Sequence, residues 1–336
     1  MTSPSSSVAA KPLLIPDSAG LACELGGFHI DPMRPCELAL ITHAHADHAR
    51  RGAARYIATE ASVPILRHRL GDDIDITGVP YGERIPLGRT EVSFHPAGHV
   101  LGSAQIAISD GSRRTVATGD FKRDADPTCA PFEVVPCDTF VSEATFALPI
   151  YRWPATRMVA RDIADWWQAN ADAGRPSVLF CYAFGKAQRV LAELTAFTSR
   201  SVWVHGAVHE ITELYRNAGI EMLPTQRVDG REKRDYSGEL IIAPPGAAGS
   251  RWMRRFKDAL TGFCSGWMQV RGNRRRRGYD RGFVLSDHAD WPGLLRTVEE
   301  VAPSKIYLMH GHADILVRLL RERGVDAGVL AELRHA

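Results

Sequence analysis

Four potential metal ligands lie close together in the segment THAHADH, which spans residues 42–48. They are His43, His45, Asp47 and His48, and they directly follow an apolar run, so one short loop at a strand end can hold them all. Imidazole nitrogens and carboxylate oxygens at this spacing suit two adjacent divalent cations, which activate water for hydrolysis. The alternative is a solvated histidine-rich loop, but that would not explain the partner motifs downstream.

Three further potential ligands each stand just after or beside a predicted strand. His99 lies in PAGHVLGSA, Asp120 in ATGDF and His310 in YLMHGH. Together with the first segment they make five histidines and two aspartates, whereas a structural zinc site is usually closed by four ligands. We therefore predict two metal ions, with coordination positions left for water and substrate.

The elements that must position these residues change character along the chain. Between Leu21 and about Phe146 the pattern predicts short strands broken by Gly, Pro and Asp. From Val159 onward helices and strands alternate, which is typical of βαβ units and indicates a second domain. The predicted strands are 37–42, 91–94, 105–109, 115–118, 139–142, 177–182, Leu240–Ala243 and Lys305–Met309.

Composition sets broad limits on the class of protein. The chain has 336 residues, 45% of them hydrophobic, and a net charge of +2, which suits a globular α/β protein with one large unit or two domains. Six cysteines without CxxC spacing indicate neither a disulfide framework nor a cysteine zinc site, and they favour a reducing compartment. No apolar run approaches membrane-spanning length. We expect a cytoplasmic protein with no membrane partner and a flexible tail at residues 1–14.

The seven potential ligands resemble the signature of the metallo-β-lactamase superfamily. The HxHxDH motif of that family matches the first segment, Asp31 matches the acidic position before it, and His99, Asp120 and His310 match the later ligands. The resemblance implies an α/β fold, a four-layer αββα sandwich. Thioesterases, glyoxalases, lactonases, sulfatases and nucleases share this signature, so it defines the fold better than the substrate.

Further motifs are similar to those of the nucleic-acid-processing branch that carries a β-CASP insertion. The motif SEATF, residues 142–146, contains Glu143, and the motif SDHAD, residues 286–290, contains His288. The segment FGKAQRVL, residues 184–191, is similar to the GRAQ-type helix found in the insertion. Asp287 departs from the usual alanine, and His312 replaces the glutamate of the HGE motif, so its role stays open. The resemblance implies a metallo-β-lactamase domain at 15–149 and 285–336 and a β-CASP-like insertion domain at 150–284.

Within that branch the chain is most similar to bacterial ligase-associated DNA exonucleases. The similarity implies a DNA exonuclease that acts in repair, with nucleic acid as substrate and a DNA ligase and other repair enzymes as partners. Three alternatives remain open at this point: an RNA-processing nuclease with the same site, a small-molecule hydrolase of thioesters or lactones, and a nucleic-acid-binding subunit whose metal site is inactive.

Roles in phosphodiester hydrolysis follow from this resemblance and from the chemistry of the side chains. His288 is the candidate general acid, oriented by Glu143; Asp47 is the third residue expected to take part in catalysis. Asp31 either accepts a hydrogen bond from a metal-bound histidine or is an ordinary turn residue. The donor set admits Zn²⁺ or Mn²⁺. The expected ligands are His43, His45 and His99 for one ion, Asp47, His48 and His310 for the other, and Asp120 as the bridge.

A basic strip could guide a phosphate backbone toward the metals. Residues 251–282 contain ten Lys or Arg and two acidic residues, an excess of eight positive charges. The alternative is a solvated loop of no functional importance. The candidate nucleic-acid contacts are Arg271, Arg274, Arg275, Arg276, Arg277 and Arg281, with Lys122 and Arg123 beside Asp120.

Overall fold

The computed structural model describes residues 11–228, 234–270, 272 and 278–334. The described strands are β1 Ile15–Pro16, β2 Leu21–Cys23, β3 Phe28–Ile30, β4 Leu38–Leu40, β5 Arg55–Thr59, β6 Ile76–Val79, β7 Arg84–Leu87, β8 Thr90–Pro96, β9 Ala104–Ser109, β10 Arg114–Ala117, β11 Thr139–Glu143, β12 Ser177–Phe180, β13 Val202–Val204, β14 Thr225–Arg227, β15 Leu240–Ala243, β16 Leu260–Cys264, β17 Arg281–Phe283, β18 Lys305–Met309 and β19 Asp326–Val329.

The described helices are α1 Val63–Leu70, α2 Thr156–Asp172, α3 Lys186–Glu193, α4 Gly206–Asn217, α5 Trp291–Val301 and α6 Ala313–Glu322. Short 3-10 turns lie at Glu60–Ser62, Leu194–Ala196, Pro245–Ala247, Arg251–Arg255, Gly266–Gln269 and Leu330–Arg334. Among the described helices, none is long and apolar enough to cross a membrane.

Two sheets pack face to face and form the centre of a sandwich. The first has the order β1-β2-β3-β4-β5-β6 and the second β19-β18-β11-β10-β9-β8-β7. Their facing side chains share one core, in which Phe28 and Leu40 of the first sheet meet Phe94 and Ile106 of the second. Strands β4 and β9 are buried along almost their whole length, since both faces of the sheets are covered there.

Helices cover the two outer faces. Leu294 of α5 and Leu316 of α6 pack with Phe140 on the outside of the second sheet, and Leu66 of α1 packs with Tyr56 on the outside of the first. The layers are therefore helix, sheet, sheet, helix, and the predicted αββα sandwich is confirmed.

A third sheet makes up the inserted part of the fold. Its order is β14-β13-β15-β12-β16-β17, and all its strands are parallel. Helices α2, α3 and α4 cover one face, since Trp167, Leu191 and Val208 share a core with the strands. Tyr215 of α4 also joins the α1 cluster and accepts a hydrogen bond from Leu101 N at 3.2 Å. The β-CASP-like α/β insertion is confirmed, while the domain bounds 15–149, 150–284 and 285–336 stay a prediction.

The observed elements differ from the sequence prediction where local signals are weak. Strands β15 and β18 have the predicted bounds, but α1 was not predicted, because its eight residues carry only a narrow buried face. Strands β14 and β17 have three residues each, too few for an alternating pattern to be recognised.

Candidate metal centre

The loop that follows β4 is held by one aspartate. Asp31, with φ of +44°, accepts hydrogen bonds from Thr42 N at 2.8 Å and from Thr42 Oγ1 at 2.5 Å. The same carboxylate lies 2.7 Å from His48 Nδ1. When Nδ1 donates its proton to Asp31, the lone pair of His48 Nε2 is left facing the centre of the site. Asp31 is therefore placed to accept a hydrogen bond from a candidate metal-binding histidine, which is the first of its two predicted roles.

Asp120 lies at the centre of the histidines. Its Oδ2 is 3.4 Å from His48 Nε2, 3.5 Å from His43 Nε2 and 3.7 Å from His99 Nε2. Burial alone would raise the pKa of Asp120, but the surrounding imidazoles, His288 foremost, hold it well below its usual range. The carboxylate is therefore ionised, which is the form that can bind a metal ion.

Four side chains form a compact set of donors. One ligand atom from each of His43, His45, His99 and Asp120 lies within 4.8 Å of all the others, and His45 Nδ1 is 3.1 Å from His99 Nε2. His43 Nε2 is buried and has no hydrogen-bond partner among the described residues. A buried nitrogen of this kind calls for an unseen partner, and a divalent cation fits it because three imidazoles and one carboxylate are an ordinary donor set for zinc or manganese.

The outward nitrogens of two of these histidines are held by backbone carbonyls. His45 Nε2 donates to Phe184 O at 3.2 Å, and His99 Nδ1 donates to Asp287 O at 2.7 Å. Each ring therefore keeps its other nitrogen as a free lone pair toward the donor set. Burial also lowers the pKa of His43, His45 and His99, which favours the neutral form that binds metals.

The second predicted ligand set is more open than the first. His48 is buried beside Asp120, but the side chain of Asp47 is 76% exposed and its Oδ2 is 3.9 Å from His48 Nε2. His310 is exposed, has φ of +64°, and its ring centroid lies 6.1 Å from that of His48. All three nevertheless line the same cavity, together with Asp120.

His288 and Glu143 form a hydrogen-bonded pair beside Asp120. His288 Nδ1 is 2.9 Å from Glu143 Oε2 and 3.9 Å from Asp120 Oδ2, and Phe121 N donates to Glu143 Oε1 at 2.7 Å. Burial lowers the pKa of His288, but Glu143 and Asp120 outweigh it and raise the value to about 9. His288 is therefore a proton donor at neutral pH, and with 23% of its side chain exposed it lines the cavity.

The cavity has a volume of about 470 Å³ and lies at the edge of the third sheet where its strands end. Tyr182 follows β12, Gly266 and Trp267 follow β16, and Asp287 follows β17, which is where parallel sheets usually bind ligands. The aromatic side chains of Phe146, Tyr182 and Trp267 also line the cavity. Sequence reasoning assigned no role to Phe146 or Tyr182.

Lys186 of α3 is a further residue that sequence reasoning did not assign. Its Nζ lies 2.7 Å from Asp287 Oδ2, and it lines the cavity. Gly185, at φ of +86°, allows α3 to begin this close, since a Cβ there would lie 2.4 Å from Val100 Cγ1. The FGKAQRVL motif and the unusual aspartate of SDHAD were the two signals that could have identified this pair.

Three of the candidate nucleic-acid contacts do not line the metal cavity. Lys122 is wrong as a surface contact, because its side chain is 1% exposed and its ammonium pairs with Asp126 at 2.6 Å. Arg123 is 11% exposed and is held by Glu300 at 2.5 Å, so its guanidinium is not free for phosphate. Arg281 is exposed, but it lines a different cavity beside Phe283.

The remaining predicted contacts, Arg271, Arg274, Arg275, Arg276 and Arg277, lie outside the described residues. His312 is exposed just before α6 and is not among the residues that line the metal cavity.

Comparison with known proteins finds relatives with several activities in their names. No family model matches the chain. The chain is 34% identical over 328 residues to a probable DNA ligase of Opitutus terrae, a match that covers 94% of this chain and 31% of that protein. It is 21% identical over 277 residues to an RNase J-like protein of Methanocaldococcus jannaschii, covering 69% and 66%.

A further match, 26% identical over 204 residues, is to cleavage and polyadenylation specificity factor 73 of Drosophila melanogaster, covering 50% of this chain and 29% of that protein. The chain thus spans from under a third to about two thirds of the length of these relatives. A crystal structure of a protein of unknown function from Enterococcus faecalis superposes with a TM-score of 0.59 at 12% identity, over 86% of this chain and 78% of that one.

The solved structure shows a shared fold, and the curated relatives cover both the sandwich and the insertion. Taken with the HxHxDH loop and the layered architecture, these matches show a metallo-β-lactamase fold with a β-CASP-like insertion.

Proposed function

We propose that this protein is a metal-dependent nuclease that hydrolyses phosphodiester bonds, and that its substrate is DNA. The observation that carries the proposal is the meeting of two separate functional groups at one cavity. A compact metal-binding set that includes Asp120 adjoins a protonated imidazole, His288, whose Nδ1 is 3.9 Å from the Asp120 carboxylate. Hydrolysis of a phosphodiester needs both an activated water and a proton for the leaving oxygen.

Seven side chains would hold two divalent ions. When bound, such ions supply a deprotonated water and neutralise charge on the phosphate. The set comprises His43, His45 and His99 for the first ion, Asp47, His48 and His310 for the second, and Asp120 between them.

His288 would protonate the leaving oxygen. Glu143 accepts from its Nδ1 and keeps the ring charged, so the proton to be transferred is the one on the Nε2 atom. Because Glu143 is itself fixed by Phe121 N, the imidazole has one orientation. This is the arrangement of an acid whose pKa lies above neutrality and whose geometry is set by its carboxylate partner.

The names of the relatives favour DNA without excluding RNA. The match that covers 94% of this chain is a probable DNA ligase, which supports a DNA exonuclease in repair, with a DNA ligase and other repair enzymes as partners. The RNase J-like protein and the polyadenylation factor support the alternative, an RNA-processing nuclease with the same site. We propose further that the inserted unit, residues 150–284, supplies one wall of the cleft.

Digestion of end-labelled single-stranded DNA and of RNA of matched sequence tests the proposal. The metal-free protein is reloaded with Zn²⁺ or Mn²⁺, and the products are resolved by length. We expect stepwise shortening of DNA, loss of cleavage in Asp120→Ala and His45→Ala, and unchanged circular dichroism in both variants. Faster cleavage of RNA would select the alternative. Turnover of a thioester, with neither polymer cleaved, would refute the nuclease.

The role of His288 is tested by varying the leaving group. His288→Asn keeps a side chain that can contact Glu143 but cannot donate a proton as an acid. We expect it to slow cleavage of natural DNA by about 10²-fold or more and to change cleavage of a bis-nitrophenyl phosphodiester, whose leaving group needs no proton, by much less. Equal losses on both substrates would remove His288 from the acid role.

A further inference from the structure

A second large cavity lies at the opposite edge of the third sheet from the metal cavity. It has a volume of about 1400 Å³ and is bordered by residues that precede β12, β15 and β16. We call it the basal groove. Its cationic residues are Arg175, Arg234, Arg251, Arg254, Arg255 and Lys257.

The charge of the basal groove is poorly compensated. Two carboxylates, Asp235 and Asp258, line it beside the six cations, which leaves an excess of four positive charges. Within the part of the chain that the structure describes, none of the six cations forms an ion pair with a carboxylate. Uncompensated cations that converge from separate segments repel one another, so the groove favours a polyanionic ligand.

The cations are presented by a firmly packed segment. The 3-10 turn Arg251–Arg255 points Trp252 inward, where its ring lies 4.8 Å from that of the buried Phe256. Phe256 in turn packs at 4.9 Å against Tyr236. Because these rings anchor the turn, Arg251 and Arg254 remain exposed along one side of the groove. A charged surface on a rigid support loses little entropy on binding.

Strand geometry sets the separation of the groove from the metal cavity. Pro176 lines the basal groove just before β12, and Tyr182 lines the metal cavity just after it. Six residues of extended chain span about 20 Å. Phosphates along one strand of a duplex are about 3.4 Å apart along the axis, and a stretched single strand spaces them farther apart, so this distance corresponds to at most about six nucleotides.

We propose that the basal groove is a second nucleic-acid contact, which holds the sugar-phosphate backbone of the substrate several nucleotides from the reacting phosphate. The inference rests on the proposed nuclease function. The groove offers arginine and lysine side chains for phosphate oxygens, so it recognises the backbone and not the base sequence. Such a contact would make long strands better substrates than short ones.

The test removes three exposed charges from the groove and, as a control, three from elsewhere. The groove variant is Arg251→Gln, Arg254→Gln and Lys257→Gln. The control variant is Arg84→Gln, Arg89→Gln and Arg318→Gln, which removes the same formal charge from exposed positions on the sandwich. Both are assayed on single-stranded DNA of four and of twenty nucleotides, for kcat, KM and the salt dependence of binding.

For the groove variant we expect a KM for the twenty-nucleotide strand that is at least about tenfold higher and a salt slope that is lower by about two, since each lost phosphate contact on a single strand contributes about 0.7. Cleavage of the four-nucleotide strand should match wild type, and the control variant should match it on both substrates. Equal behaviour of the groove and control variants would overturn the proposal, as would an equal loss on the short strand.

Binding measured separately distinguishes this inference from the nuclease function. Anisotropy with labelled DNA and Asp120→Asn protein reports on the groove even if no cleavage occurs. If wild-type protein cleaves nothing but the groove variant still loses affinity for long DNA, the nuclease proposal alone fails. Displacement of twenty-nucleotide DNA by polyglutamate of equal charge, at equal concentration, would overturn the proposal and point to an acidic polypeptide.

Discussion

Removal of the Asp287 carboxylate should destabilise the fold and disturb the active site together. Lys186, Arg189 and Asp287 have side chains only 4%, 2% and 5% exposed. Asp287 Oδ2 lies 2.7 Å from Lys186 Nζ, and Oδ1 lies 3.5 Å from Arg189. Burial alone would raise the pKa of Asp287, but these cations hold it below its usual range. The Asp287 carboxylate is therefore ionised in the folded protein.

The loss of stability in the Asp287→Ala variant depends on which cation is left without a carboxylate partner. In Asp287→Ala, Arg189 keeps Asp126, whose Oδ2 is 3.2 Å from Arg189 Nε. Lys186 has no other carboxylate partner among the described residues, so it becomes an uncompensated buried charge. Breaking a buried pair in this way costs about 3–5 kcal/mol. We expect the free energy of unfolding to fall by about that amount.

A double-mutant cycle measures the interaction directly. Replacing both partners with apolar side chains removes the uncompensated charge, so Lys186→Met with Asp287→Ala should recover at least about 2 kcal/mol relative to the sum of the single changes. Chemical denaturation of all four proteins, with the metal content held equal, gives the four free energies. Additivity within about 0.5 kcal/mol would refute the reasoning.

Three further results are expected. Metal removal should abolish cleavage and lower the Tm by several degrees, since His43 and its neighbours lose their common partner; an unchanged Tm in protein shown by elemental analysis to be metal-free would contradict this. Gly119→Ala should cost about 1–3 kcal/mol and reduce metal content, because φ is +54° and a Cβ would lie 2.5 Å from Thr42 Oγ1; full metal content would count against it. Burial alone would raise the pKa of Asp126, but Lys122 and a second buried cation lower it, so its stabilisation is present above about pH 4 and lost in more acidic solution. The free energy of unfolding of Asp126→Asn should therefore fall less steeply below about pH 4, by up to about 1.4 kcal/mol per pH unit, and parallel curves would exclude this role.

The parts of the site that sequence predicted are those with local signals. The loop at residues 42–48 could be predicted because its ligands adjoin an apolar run, and Glu143 because it ends strand β11. The prediction for Lys122 was wrong because nearness to Asp120 in the sequence gives no information on burial, and in the structure the ammonium is buried against Asp126. The three residues of the second predicted ligand set line one cavity, and their role as ligands stays a prediction. The exposure of Asp47 is a property of the folded loop that the sequence does not show.

The orientation of the histidine rings is a further feature that the sequence could not show, because backbone groups determine it. The carbonyl oxygens of Phe184 and Asp287 orient the rings of His45 and His99, and a carbonyl carries no mark in the sequence. Phe184 belongs to the inserted unit, just before α3, while both histidines belong to the sandwich. The insertion therefore contributes to the metal centre itself as well as to the cavity wall. Any change that shifts α3 also shifts an acceptor of a ligand histidine, so metal affinity and the packing of the insertion are thermodynamically linked.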